Sequence, residues 1–230
     1  MFAPSGESFR WIQGDWVIPN VDAPTEDRWY YCASWIGIDG DGSGDVCQIG
    51  IETAAYRSGN SIVTSIYPWW EWYPLAEVAI TNFPVGPGDM VTALLCTSGA
   101  GATSASAYFA NRTNGAATSL TFSAPAGTSL AGNCAEWVVE APTVGGRQSA
   151  VADYGEVFFS ACDAYAVGPR SATTVGGGTG GHHQHGQRHG HRHVRGHRRL
   201  PDSHPVRVRG HAAVTGGEGS PVMTRPGEAG

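Results

Sequence analysis

The stretch YYCASWIGIDGDGSGDVCQIGIE, residues 30–52, reads as strand, turn and strand. YYCASWIGI (30–38) and VCQIGIE (46–52) are short runs rich in β-branched and aromatic residues. GDGSGD (40–45) between them is made of turn formers. Successive side chains of a strand point to opposite sides, so Cys47, Ile49 and Ile51 share one face while Gln48, Gly50 and Glu52 share the other. One apolar and one polar face is the pattern of a sheet with its core on a single side.

The same grammar extends along the chain. DWVIPNV (15–21), SIVTSIYPWWEWYPL (61–75), DMVTALLC (89–96), ASAYFA (105–110), SLTFSAP (119–125), CAEWVVEAP (134–142) and GEVFFSAC (155–162) are further strand-like runs, separated by Gly, Pro, Asn and Asp. Asn114-Gly115 in NRTNGAA is a strong hairpin signal, and VGPGD (85–89) is another turn. No stretch keeps a helical period. The expected fold class is all-β, a two-sheet antiparallel β-sandwich.

Charge divides the 230 residues in two. Residues 1–180 carry 17 acidic residues, six Arg, no Lys and no His, a formal charge of −11. Residues 181–230 carry eight Arg, three acidic residues and all nine His, a formal charge of +5. The acidic body is a poor match for nucleic acid. Without imidazole it cannot build a Ser-His-Asp triad, a Cys-His dyad or a His-ligated zinc site. Its chemistry is left to carboxylates, amides, hydroxyls and thiols. Low charge, absent Lys and abundant acids suit a secreted protein working in acid, where carboxylate repulsion fades. MFAPSGESFR shows no signal-peptide pattern, and no apolar run is long enough to span a membrane. Five cysteines (Cys32, Cys47, Cys96, Cys134, Cys162) are expected to form one or two disulfides, with at least one left over.

From about residue 171 the composition changes. TTVGGGTGG is a flexible linker, and HHQHGQRHGHRHVRGHRR is a basic low-complexity tract with no means of burying a core. The expected division is a β-sandwich over 1–170 and a disordered Gly/His/Arg-rich tail over 171–230. A second reading of the tract is a frameshift product, because it can be back-translated so that the next frame gives a Thr/Val-rich strand.

Three strands draw attention to one face. In CAEWVVEAP, Ala135, Trp137, Val139 and Ala141 lie opposite Glu136, Val138 and Glu140. In YPWWEWYPL, Glu71 sits among Trp69, Trp70, Trp72 and Tyr73. If these strands share a sheet with Gln48 and Glu52, the non-core face holds amide, carboxylate and large aromatics. That composition fits a substrate groove better than a washed surface. Asp39, Asp41, Ser43 and Asp45 imitate the first half of a calcium loop, but Gly50 stands where the bidentate Glu is needed, so a turn is expected there. The sequon Asn111-Arg112-Thr113 carries no weight alone.

Taken together, WIQGDWVIPNV, SWIGIDGDG, CQIGIE, WWEWYP, VGPGD, CAEWVVEAP and VADYGEVFFSA, in this order over residues 9–162, resemble the glutamic peptidases, the eqolisin family. The resemblance implies a sandwich of two bent antiparallel sheets, a lectin-like jelly roll, with substrate on a concave face. It implies a catalytic pair, Gln48 and Glu136, acting on peptide bonds without cofactor or metal. It implies support from Trp35 and Asp39, and substrate subsites at Glu71, Trp70 and Trp72. Glu52 stands where family members often have Asp. The implied partners are polypeptide substrates, with no nucleic acid, no membrane and a monomeric state. Two other readings are a carbohydrate-binding jelly-roll module and an inactive truncated homologue. A glycosidase is disfavoured, since it needs a second carboxylate where this chain offers Gln48.

Overall fold

A computed structural model describes residues 1–168 and, as backbone, residues 206–209. Among the described residues the chain forms strands and no helix. In chain order they are β1 (Ser8–Val17), β2 (Trp29–Asp39), β3 (Val46–Ser58), β4 (Ser61–Tyr73), β5 (Val78–Ala79), β6 (Met90–Thr97) and β7 (Ser104–Asn111). There follow β8 (Ala117–Ser123), β9 (Ala135–Glu140), β10 (Thr143–Val144), β11 (Arg147–Gln148), β12 (Ala150–Val151), β13 (Glu156–Val167) and β14 (Val206–Arg209).

Two six-stranded sheets result. The first runs β14-β13-β1-β6-β7-β8; the second runs β12-β2-β3-β4-β5, with β9 also on β2. Along its outer edge β2 pairs first with β12 and then with β9. Only the β12–β2 contact is parallel, because the short β10–β11 hairpin reverses the chain between β9 and β12.

The core fills the space between the sheets. Ile36, Ile38, Ile49 and Ile51 from the second sheet meet Ile12, Trp16, Leu95, Phe109 and Phe159 from the first, all fully buried. Each such side chain contributes roughly 1.5–3 kcal/mol of transfer free energy. Cys47 lies in this core as the alternation predicts. Trp137 crosses between the layers: its indole N–H donates to the Gln13 carbonyl at 2.8 Å. A Cβ on Gly14 would sit 2.8 Å from that ring, so glycine there is what admits it. Opposite Gly14, β13 carries an irregularity around Ala161, whose φ is +48°. A bulge of this kind re-aims a strand locally.

One expectation needs revision. The five cysteines are all free thiols, so no disulfide helps to hold these sheets. Val206–Arg209 pairs along the edge of β13 at residues 156–159. Apart from those four residues, the tail expected over 171–230 lies outside the described residues. The sequon, finally, is a structural turn. Asn111 is buried, donates to the Pro84 carbonyl and to Asp89, and accepts from the amides of Thr113 and Asn114. It closes the β7–β8 hairpin that Asn114-Gly115 signalled.

Candidate active site

The pairing registers of β9, β2, β3 and β4 set side chains in rows across the outer face of the second sheet. Glu136 pairs with Gly37, Gly37 with Gln48, and Gln48 with Glu71. The next row, two residues along, is Val138, Trp35, Gly50 and Trp69. The third is Glu140, Ala33, Glu52 and Tyr67. Gln48 and Glu136 thus stand two strands apart, about 10 Å between backbones, with no side chain between them. Gly37 makes that gap. A Cβ there would meet the Trp35 ring at 2.9 Å and Gln48 Cβ at 3.3 Å. Gly50 does the same in the next row, where a Cβ would meet Trp35 Cβ at 2.5 Å and the Trp69 ring at 2.8 Å.

Above these rows lies a solvent-connected cavity of about 640 Å³. Gln48, Glu136, Trp35, Glu71 and Glu140 line it, joined by Trp69, Tyr73, Glu77 and Val138. Ala33, Trp35 and Trp69 form a small apolar cluster of their own on this face, separate from the main core. The cavity therefore combines one apolar wall with a polar row, the composition expected of a ligand pocket.

Each expected residue can now be located. Gln48 and Glu136 share the cavity, and the Gln48 NH₂ donates to the Glu71 carboxylate. Gln48 Oε1 is buried without a hydrogen-bond partner. Asp39 is fully buried at the end of β2 with φ +72°, and its carboxylate accepts the amides of Ala131, Gly132 and Asn133 at 2.7–3.0 Å. That clamp fixes the segment entering β9, and hence Glu136. Trp35 lines the cavity. Trp70 and Trp72 do not reach it. They are of opposite parity to Glu71 and face the core, where Trp70 stacks on Phe122 and the fully buried Trp72 donates to Asp45 at 3.2 Å. Besides Tyr73, the aromatic residue of this run that faces the cavity is Trp69. Its even spacing from Glu71 was the available signal.

Burial dominates the electrostatics. It pushes the Glu71 carboxyl up to about 8; the Gln48 hydrogen bond opposes this, and Glu77 and Glu140 reinforce it. Burial likewise lifts Glu140 to about 7, opposed by Trp35 and reinforced by Glu136. Glu77 is raised by burial and held partly in check by the Tyr67 hydroxyl, which donates to it at 2.6 Å. Glu136 is raised by burial too, with the Cys134 thiol, the Met1 ammonium and the Asp41 amide working the other way. Glu77 lies in the connection after β4, where no periodicity could announce it. In acid, Glu71 and Glu140 are neutral, and the cavity is far less charged than its inventory of carboxyls implies.

Over residues 1–188 the chain matches the Peptidase A4 family. It is 30% identical over 192 residues to aspergillopepsin-2 of Aspergillus niger, a match covering 74% of this chain and 66% of that protein. The chain thus spans just under two thirds of the length of that relative. The fold is similar to scytalido-glutamic peptidase, solved with a transition-state analogue inhibitor, with TM-score 0.59 and 23% identity over 70% of this chain and 76% of that one. It is also similar to aspergilloglutamic peptidase from Aspergillus niger, with TM-score 0.53 and 32% identity over 63% of this chain and 84% of that one.

Proposed function

The chain belongs to the Peptidase A4 family, whose relatives named above are glutamic peptidases, and from that premise we propose that it is an acid endopeptidase using Glu136 and Gln48. The observation that carries the reading is the row Glu136–Gly37–Gln48 beneath one cavity. A carboxylate and an amide face each other there across a glycine-made gap wide enough for a peptide bond and a water.

Peptide hydrolysis needs a base for the attacking water, a donor for the developing oxyanion and an acid for the leaving nitrogen. Glu136, ionised, takes the water's proton and afterwards returns it to the departing amine. The Gln48 NH₂ holds one hydrogen against Glu71 and has a second for the oxyanion. Glu71 thereby orients the amide. Trp35 and Trp69 supply the apolar wall for a substrate side chain. The acid limb of activity then reports ionisation of Glu136, while ionisation of Glu140 and Glu71, near 7 and 8, closes the working range from above by filling the cavity with like charges.

The further expectations belong to the same proposal. The body over 1–170 acts outside the cell, as a monomer, on polypeptides, without cofactor, nucleic acid or membrane. Among the described residues no helix is long and apolar enough to cross a membrane.

The test is cleavage of denatured casein from acid to neutral pH by the full chain and by Glu136→Gln. Acid-only cleavage, reduced about 10²–10⁴-fold in the variant, is expected. Equal cleavage by both would reject Glu136 as the base. Absence of cleavage in both, with retention on a polysaccharide column, would favour the sugar-binding alternative.

A further inference from the structure

The catalytic proposal leaves one polar group beside Glu136 without a role. Cys134 lies two residues before Glu136, just ahead of β9, and is buried beneath the edge of the cavity that Glu136 lines. Cys134 Sγ approaches Glu136 Oε1 at 3.3 Å. The other carboxylate oxygen, Oε2, stands against the main chain of Gly40, where a Cβ would lie only 3.3 Å away. The Asp41 main chain works against the effect of burial on the same carboxyl. Cys134 is itself fixed: its carbonyl accepts the Asp39 amide at 3.0 Å, and the Asp39 carboxylate holds the three residues before it.

We propose that Cys134 is a positioning residue whose S–H fixes and favours the ionised Glu136 carboxylate, completing a cradle made otherwise of main chain. The inference rests on the assignment of Glu136 as the base. The direction of donation is settled by chemistry. Burial pushes the Cys134 thiol up to about 12, so it carries its proton throughout the working range and donates to the carboxylate. Oε1 of Glu136 is thereby engaged while Oε2 lies against the Gly40 main chain and the carboxylate lines the cavity.

The groups facing Glu136 come from several elements. Glu140 lies on β9 itself, Cys134 immediately before it, and Asp39 and Asp41 on the end of β2 and the turn beyond it. Glu71 and Glu77 come from β4 and its exit, and the Met1 ammonium from the N-terminal segment bonded to Ala135. Of these side chains, only Cys134 has its hydrogen bond to Glu136 resolved at the carboxylate.

The experiment compares the pH dependence of kcat/KM for wild type, Cys134→Ala, Cys134→Ser and Glu136→Gln on one soluble peptide, with unfolding midpoints measured alongside. Loss of the thiol donor is expected to move the acid limb of Cys134→Ala upward by about half a pH unit, an approximately threefold loss on that limb. Ser, which keeps a donor, is expected to return the limb to its wild-type position. A purely structural role would lower activity without moving the limb.

A second readout does not depend on turnover. The cysteine S–H stretching band of the full chain is followed by infrared spectroscopy as pH crosses the ionisation of Glu136. One component is expected to shift with pH in wild type, to vanish in Cys134→Ser and to stay still in Glu136→Gln. A Cys134→Ala profile superimposable on wild type, or an S–H band indifferent to Glu136, would overturn the inference while leaving the base intact. A wild-type profile in Glu136→Gln would instead remove the base assignment, and this inference with it.

Discussion

The two sheets of this sandwich treat their outer faces differently. In the first sheet, β7 and β8 alternate between buried and solvated positions, with Ser104, Ser106, Tyr108 and Ser119 on the outside. In the second, β2 and β3 are buried along nearly their whole length on both faces. Their inner face is packed isoleucine; their outer face holds Gln48, Glu52, Trp35 and two glycines under a cavity. A sheet that only supports can leave its far side to water. A sheet that carries a site must keep polar groups partly dry on that side, and burial there lifts carboxyl pKa values rather than merely hiding surface.

The sharpest way to break the contrast is to fill the gap in the proposed catalytic row. Gly37→Ala places a methyl against the Trp35 ring and Gln48, and kcat/KM is expected to fall about 100-fold, as misplacement of reacting groups by an ångström does. Steady-state kinetics on a soluble peptide, with circular dichroism to verify the fold, makes the measurement. Activity within threefold of wild type would show that the glycine gap has no part in catalysis.

Next in size is the coupling between layers. Trp137→Phe removes the indole donor to Gln13 and is expected to cost about 1–3 kcal/mol in urea unfolding. Asn111→Ala, in the first sheet, removes donors and acceptors from a buried turn and is expected to cost a similar amount by the same assay, with kcat/KM on the peptide unchanged. The two substitutions probe stability on both sheets, whereas the proposed site lies on the second alone.

The pH dependence separates the sheets more gently. Glu71 and Glu140 have folded-state pKa values, about 8 and about 7, above their ordinary value of 4.5. The folded protein therefore binds more protons than the unfolded chain between about 4.5 and 8, and stability falls as pH rises through that window. Below it the two groups add no dependence. Thermal unfolding midpoints should decline from pH 4.5 to 8, and Glu71→Gln should flatten part of the decline. A flat wild-type profile would contradict the assigned burial. The smallest effect is expected on the first sheet's outer face, where Thr121→Ala should change stability by less than about 0.5 kcal/mol and leave activity alone.

How much of this was legible in the sequence follows from the same contrast. Alternation in 46–52 and 134–142 identified the faces of β3 and β9, because each strand must hide one apolar set. It was weaker at 69–73, where aromatics occupy both parities. Trp70 and Trp72 read like groove residues by composition, whereas the register turns Trp69 outward and sends those two against Phe122 and Asp45. Glu77 comes from a connection with no period, and its meeting with Tyr67 depends on tertiary packing. The free thiols were equally hidden, since spacing says nothing of distance. Cys134 stood in view at the head of its motif, but only the side-chain geometry ties its sulfur to Glu136.

The most direct test is a single comparison of kcat and KM for Gln48→Ala and wild type on one soluble peptide in acid, with unfolding midpoints for both. Loss of the oxyanion donor predicts a kcat lower by about 10²–10³, an almost unchanged KM and a retained midpoint. A kcat within a factor of two, or a loss that appears only together with unfolding, would contradict the assignment of this row as the site of peptide hydrolysis.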